Sequence, residues 1–358
     1  MAENNTDGAT ISMAALEERV CEILVSAGFG AVQAAALARV VAAGERDGCK
    51  SHGLYRLDGM LASARAGTVD PHVEPVLLPD DGYAVVRVNA GFGFAPAALE
   101  LGIPFLAERA RSVGIAALVV NDCAHLSALW PEVEMLTERE LAAIALCPSY
   151  ATVAPAGGTM PLLGTNPFAF GWPRPGRDPY VFDFATSAAA RGEIELHRRA
   201  GEPLPEGWAL DSEGRPTTDP ERALAGAMLP FGGHKGSAMG TMIELLGAVL
   251  IGDLTSRDCL DRIGTTTLAP VHGELLIAFA PEVFVGGRSG DPFARAEILF
   301  DAIVGQGARL PSQRRFAARA RCQSEGIWLA EAEIAKLDAL LAQDAGSSQS
   351  PVRDDFSA

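Results

Sequence analysis

Apolar residues recur at helical spacing from Ser12 to about Gly44, with Leu16, Val20, Ile23 and Leu24 on one stripe and alanine-rich turns running on to Val40 and Val41. Gly28-Phe29-Gly30 interrupts the stripe and divides it into two helices. A third helix is expected from about Ser51 through Leu54, Leu57 and Leu61, stopped by Gly67. The texture then changes. Tyr83 to Val88 reads as a strand, Pro96 to Val113 as a helix and Ile115 to Val120 as a buried strand. Leu141 to Cys147, Phe168 to Gly171, Tyr180 to Phe184 and His272 to Ala280 are further strands. Helices are expected from the glycines at 232 and 233 to about Ile251, over Pro292 to Ile303 and over Glu331 to Leu341. The pattern is mixed α/β with a helical N-terminal part and no internal repeat. Residues 1–11 and 344–358 are polar and small, and read as mobile tails.

Composition narrows the choice of partner. The 358 residues carry 45 Asp and Glu against 29 Lys and Arg, a formal net charge of −16. That surplus repels phosphate backbones and anionic membrane surfaces, so neither nucleic acid nor a membrane is an expected partner. The most apolar stretch, Met239 to Ile251, is broken by Glu244 and falls short of the roughly 20 residues of a span. The polar start, without a basic and then apolar run, does not read as a signal peptide. Six cysteines are scattered with no CxxC pair, so no metal site and no disulfide framework is expected, and a cytoplasmic location is the simplest one.

Several short segments could carry chemistry. In Cys49-Lys-Ser-His-Gly-Leu-Tyr-Arg56, a helix starting at Ser51 would place His52 and Arg56 on one face, with Ser51 as its cap. Arg would grip a carboxylate bidentately while His moves a proton; equally, this could be a solvated, capped helix start. His125 follows the buried run from Ile115 to Val120, at the end of a strand where α/β sheets hold ligands, or is a structural histidine. Gly164-Thr-Asn-Pro167 and Asp183-Phe-Ala-Thr-Ser187 are polar turns beside strands. Pro230-Phe-Gly-Gly-His-Lys-Gly236 opens a helix, and its free N–H groups with His234 and Lys235 suit a pyrophosphate. Arg309, Arg314 and Arg315 form a late basic cluster. Gly91-Phe-Gly93-Phe-Ala-Pro96 imitates a dinucleotide fingerprint, but proline stands where the third glycine should be, and the segment reads as a turn. Lys235 likewise lacks the order of a Walker loop.

In sequence order, Ser51-His-Gly-Leu-Tyr-Arg56, Gly164-Thr-Asn-Pro-Phe-Ala-Phe-Gly171, Phe182-Asp-Phe-Ala-Thr-Ser187, Gly207-Trp-Ala-Leu-Asp211 and Pro230-Phe-Gly-Gly-His-Lys-Gly236 resemble the malate/L-lactate dehydrogenase-like oxidoreductases. The resemblance runs from about residue 12 to 340. Within that family, Ala128-Leu-Trp-Pro-Glu-Val-Glu134, Ala190-Arg-Gly-Glu-Ile-Glu-Leu-His197 and Gly236 to Leu246 are similar to the Δ1-piperideine-2-carboxylate/Δ1-pyrroline-2-carboxylate reductases.

The resemblance implies a non-Rossmann NAD(P)-binding mixed-sheet domain over 68–291. A helical domain is implied from residues 12–67 packed with 292–342. It further implies His52 as proton donor and Ser51 as relay partner, with Glu193 standing where such reductases carry the relay aspartate. Arg56 and Thr165 would contact substrate. Cofactor contacts fall on Asn121, Asp122, Cys123, Ala124, His125, Asp183, Phe184, Ala185, His234, Lys235, Gly236, Arg309, Arg314 and Arg315. The implied cofactor is NADPH, with NADH as the alternative, and the implied assembly is a homodimer. The implied activity is reduction of a cyclic 2-imino acid. A 2-hydroxy/2-keto acid dehydrogenase acting on malate, lactate, ureidoglycolate or a sugar-derived keto acid is the alternative.

Overall fold

Runs rich in valine, alanine and phenylalanine build the central sheet, because such side chains pack well on a pleated surface buried on both faces. In the computed structural model, which describes residues 8–288 and 290–344, the sheet has seven strands. Their spatial order is Val76–Leu77, Val85–Asn89, Ile115–Ala124, Val271–Phe279, Ala142–Leu146, Pro167–Trp172 and Tyr180–Ala185. Only Val85–Asn89 and Ile115–Ala124 run parallel, joined by the crossover helix Ala95–Val113; all other neighbours are antiparallel. The late strand Val271–Phe279 is inserted at the centre, and a bulge between His272 and Glu274 shifts its register against Ile115–Ala124.

One face of the sheet packs its Leu118, Val120, Leu276 and Ala278 against the helices Ala95–Val113 and Trp130–Thr137. The other packs Val119, Leu146 and Leu275 against Ile243 of the helix His234–Glu244. A separate cluster joins Leu16, Val20, Leu37, Leu57 and Met60 of the N-terminal helices to Ile327, Leu329 and Leu337. A three-stranded sheet, Ala227–Met228, Ala209–Leu210 and Pro216–Thr217, forms a small lobe around Ile194 and Leu204.

Four sequence expectations need correction. The third helix begins at Leu57; Lys50–His52 and Leu54–Arg56 are single 3₁₀ turns. Gly8–Ile11, expected in a mobile tail, is a strand paired antiparallel with Ile327–Ala330. Residues 1–7 and 345–358 of the expected tails lie outside the described residues. The helix after the glycines at 232 and 233 is α-helical only to Glu244, and one π turn, Leu245–Val249, follows. Finally, Pro292–Val304 was expected on the N-terminal helices but lies on the sheet edge, where Phe300 stacks on Tyr180 at 5.1 Å and Glu297 pairs with Arg174 at 2.6 Å.

The pairing of Gly8–Ile11 makes a prediction. Ile11 packs on the helical cluster, and a Cβ on Gly8 would stand 2.4 Å from the Leu329 carbonyl oxygen. Deleting residues 1–11 should therefore lower the melting temperature by several degrees, on the scale of about 2–4 °C per kcal/mol for a domain of 150–250 residues. A melting curve unchanged by the deletion would show that this strand contributes nothing.

Candidate active site

The Ser51-His-Gly turn is held by the helix before it. Glu45, buried in the last turn of Ala31–Arg46, accepts the Leu54 N–H at 2.8 Å, and Lys50 reaches it at 2.6 Å. A Cβ on Gly53 would stand 2.1 Å from the Glu45 carboxylate, so only glycine lets the turn sit this close. Ser51 is therefore not a helix cap. Its Oγ lies 3.0 Å from Nδ1 of His52, which leaves Nε2 as the nitrogen free for other chemistry.

His52 is half-buried against Trp130, with ring centroids 6.1 Å apart and planes crossing at 80°. Burial, then the charge of Arg56, then His125, push its pKa down to about 3. The imidazole is thus neutral near pH 7. An ordinary imidazole, by contrast, holds either protonation state near pH 7. Arg56 is half-buried, its Nε has no hydrogen-bond partner, and its guanidinium carbon stands 5.7 Å from the Tyr55 ring centroid. Burial lowers its pKa, and no carboxylate raises it. It forms no ion pair among the described residues.

Beneath this pair lies a polar floor that sequence spacing did not reveal. His125 Nε2 is 3.6 Å from Glu132 and 3.6 Å from Glu274, all three buried. Burial pushes Glu132 up to about 8, raises Glu274 well above the ordinary range, and pushes His125 down to about 4. One nitrogen and two carboxyl oxygens within 4.8 Å would suit a dication. Glu132 and Glu274 are 142 positions apart in the chain, so no spacing rule could have joined them; the fold does so by inserting strand Val271–Phe279 at the centre of the sheet.

The expected cofactor residues divide into three groups. His234 and Lys235 are exposed at the start of helix His234–Glu244, after Gly233 at φ +62°. A Cβ on Gly236 would stand 2.2 Å from the Phe231 carbonyl oxygen, which accepts the Gly236 N–H at 3.1 Å, so the loop folds tightly back on itself. Arg309 and Arg314 are exposed, and like Lys235 they form no ion pair among the described residues. The strand end Asn121-Asp122 is anchored by Asp253, whose Oδ2 accepts from Asn121 Nδ2 at 3.0 Å and from the Asp122 N–H at 2.9 Å.

Other residues are turned inward. Cys123 and Ala124 have no exposed surface and His125 only 5%, so their side chains are enclosed by the fold. Asp183 caps the helix Trp130–Thr137, accepting the Leu129 and Trp130 N–H groups at 2.8 and 3.1 Å. Phe184 is exposed and Ala185 half-buried beside it. Arg315 is buried in ion pairs with Asp47 and Glu134, which removes it from any phosphate site. Glu193 is exposed in the first turn of Arg191–Ala200 and makes no hydrogen bond to Ser51 or His52 among the described residues. The Gly164-Thr-Asn-Pro turn is fixed by Asn166, at φ +38°, which donates to Gly240 O at 3.0 Å and Glu244 at 2.8 Å; Thr165 beside it is half-buried.

Residues 11–338 match the malate/L-lactate dehydrogenase family model. The chain belongs to that family. Among curated members, the Δ1-pyrroline-2-carboxylate reductase of Agrobacterium fabrum is 67% identical over 94% of this chain and 97% of its own length. The Δ1-pyrroline-2-carboxylate/Δ1-piperideine-2-carboxylate reductase of Pseudomonas aeruginosa is 54% identical over 91% and 97%. The crystal structure of Δ1-piperideine-2-carboxylate reductase from Pseudomonas syringae pv. tomato superposes with a TM-score of 0.88 at 41% identity, covering 93% of this chain and 99% of that one. This member of the malate/L-lactate dehydrogenase family thus shares its mixed-sheet fold with an imino-acid reductase. No helix among its described residues is long and apolar enough to cross a membrane.

The floor makes a pH-dependent prediction. Folded Glu132 keeps a proton up to about pH 8, whereas an ordinary glutamate loses it near 4.5. Between those values the folded state binds more protons than the unfolded chain, so stability falls as pH rises through the window. Glu132→Gln supplies a neutral near-isostere. Its melting temperature should fall less steeply than that of the native protein between about pH 5 and pH 8; parallel slopes would mean that Glu132 is ionised.

Proposed function

We propose that this protein reduces cyclic 2-imino acids, converting Δ1-piperideine-2-carboxylate to L-pipecolate and Δ1-pyrroline-2-carboxylate to L-proline. The observation that carries this reading is Arg56, a half-buried guanidinium with an unpartnered Nε, no protein carboxylate and the His52 imidazole close beside it. In a chain of net charge −16, a cation left without a partner is a seat for a ligand's anion. A carboxylate bound there sets the adjoining C=N group beside His52.

The same carboxylate changes the acid. The charge of Arg56 is the second cause of the low His52 pKa, and a bound anion offsets it. Substrate binding therefore raises the ring's affinity for a proton, and Ser51 at Nδ1 can relay a proton to or from the ring. His52 can then protonate the substrate nitrogen from Nε2 as the carbon is reduced, giving the secondary amine. Thr165 would border the substrate.

Reduced nicotinamide supplies the hydride when bound, and this chain's residues fit its phosphates. The close Gly236 turn, the His234 N–H at the start of His234–Glu244 and the unpaired Lys235 suit a pyrophosphate. Arg309 and Arg314, exposed and free of ion pairs among the described residues, would favour the extra phosphate of NADPH over NADH. The Asn121-Asp122 strand end and Phe184-Ala185 would complete the cofactor's surroundings.

A cytoplasmic homodimer fits the remaining features. All six cysteines are free, as a reducing compartment would keep them. Leu245, Val249 and Leu250 leave more than half of their surface exposed around the π turn, an apolar stripe for a second copy to cover.

The test follows NADPH and NADH absorbance with both cyclic imines, pyruvate and oxaloacetate. Oxidation with the imines, faster with NADPH, is the expected result; oxidation with the ketones alone overturns the reading. His52→Ala should lower kcat by about 10²–10⁴-fold, the usual worth of a general acid. Arg56→Ala should act mainly on KM, raising it roughly 10–100-fold through loss of a charge-assisted contact. An Arg56→Ala enzyme with native KM would remove the carboxylate from this position.

A further inference from the structure

Trp130 belongs to the Ala128–Glu134 segment, and the reaction above gives it no task. It opens the helix Trp130–Thr137, and its backbone N–H is held by Asp183 at 3.1 Å. Its indole meets the His52 imidazole nearly at right angles, with ring centroids 6.1 Å apart. The guanidinium carbon of Arg315 stands 5.1 Å from the indole centroid. Arg315 is only 7% exposed and is locked in place. Its Nη1 pairs with Asp47 at 3.1 Å and also with Glu134, and its Nη2 donates to Ser312 at 3.1 Å. Arg319 joins the same two carboxylates, reaching Glu134 at 2.8 Å. An unbroken series of contacts thus runs from the late helix Gln313–Glu325, through Arg315 and Trp130, to His52.

His52 needs such support. Ser51 contacts only one ring nitrogen, and Ser51 is itself exposed, so water competes for that bond. A single contact at Nδ1 leaves the ring free to swing about its own side-chain torsions. The indole wall closes that freedom on one side. Arginine is the residue suited to hold the wall, because its planar group can stack on an aromatic face while forking between two carboxylates; lysine can keep the charge but not the stack.

We propose that Arg315 and Trp130 are positioning residues that fix the orientation of the His52 imidazole for proton transfer to the substrate nitrogen. This rests on the reading of His52 as the acid in imine reduction. Neither residue touches the reacting atoms. The predicted signature is a loss in kcat with KM nearly unchanged, since Arg56 still binds the carboxylate. A misplacement of about 1 Å in such a group can cost as much as 100-fold in rate.

The test uses Arg315→Lys, Trp130→Phe, Trp130→Leu and the double variant Arg315→Lys/Trp130→Leu in the full chain. Arg315→Lys keeps a cation between Asp47 and Glu134, so the fold should survive, and melting curves verify this. It should lower kcat with the cyclic imine about tenfold while KM stays within twofold. Trp130→Phe keeps an aromatic wall and should retain most of the rate, whereas Trp130→Leu should lose at least tenfold. If Arg315 acts through the indole, Arg315→Lys should have little further effect in the Trp130→Leu background. Equal losses in both backgrounds, or native kcat in Arg315→Lys, would overturn the proposal.

A second readout needs no turnover. The Cε1–H resonance of His52, assigned with His52→Gln, should move in Arg315→Lys while that of the exposed His234 stays in place. An unmoved His52 resonance overturns the positioning role even in an active enzyme. A native enzyme inactive on every imine overturns the reaction instead, and the resonance still decides whether Arg315 sets the ring.

Discussion

The site depends on one uncompensated charge. Arg56 is half-buried with no carboxylate beside it, in a chain with far more acidic than basic residues. Desolvating a cation without a partner is costly, and folded proteins normally avoid it or pair it. Here the cost is carried by the surrounding fold. Glu45 fixes the turn that presents Arg56, and no carboxylate among the described residues pairs with it. The guanidinium therefore keeps its full attraction for a small carboxylate. His52, held neutral first by burial, feels the same charge as a second cause, and a bound carboxylate would offset that part. Binding and acid strength are thereby coupled through one side chain.

The two buried charge clusters of this protein follow opposite logic, and the difference fits their tasks. Around Asp47 and Glu134, three arginines meet two carboxylates, and every member has an opposite partner. Such a network is stiff, because removing one member strands the others. Around His125, by contrast, Glu132 and Glu274 have orphaned oxygens and are neutral by protonation. The paired cluster suits a support, whereas the neutral floor leaves the field of Arg56 intact. Trp130 separates the two, with Glu132 and Glu134 on the same helix serving one each.

Much of the fold was legible because the strands contain apolar runs such as Ile115–Val120 and Leu275–Phe279 and the N-terminal helices carry a clear stripe. Helix Gln313–Glu325 escaped notice because ion pairs as well as apolar contacts bury it, and its charged sequence has little stripe to find. For the same reason Arg315 looked like a free cation. A count of basic residues cannot tell which of them already have partners, and its neighbours Arg309 and Arg314 are exposed while Arg315 is enclosed. Spacing alone left His52 and Arg56 open between a site and a solvated helix start, and the family motifs singled them out; two 3₁₀ turns, not a helix, carry them. A 3₁₀ turn brings residues three apart, not four, onto one side, so helical spacing does not explain their proximity; the chain bends at Gly53 between the two turns.

The same reasoning limits what formal charge says about this pocket. Burial keeps His52 and His125 neutral near pH 7 and holds the protons on Glu132 and Glu274, so none of these four groups supplies a charge to offset Arg56. Asp183 is the nearby exception, raised to about 6 by burial yet stabilised by two backbone N–H groups. Its remaining negative charge lies against the N-terminus of the helix that carries Trp130, where the helix dipole offsets it. An acidic protein can thus offer a cationic pocket without a cluster of basic residues. It needs one guanidinium, burial enough to neutralise the acids around it, and a helix end to absorb the acid that stays charged.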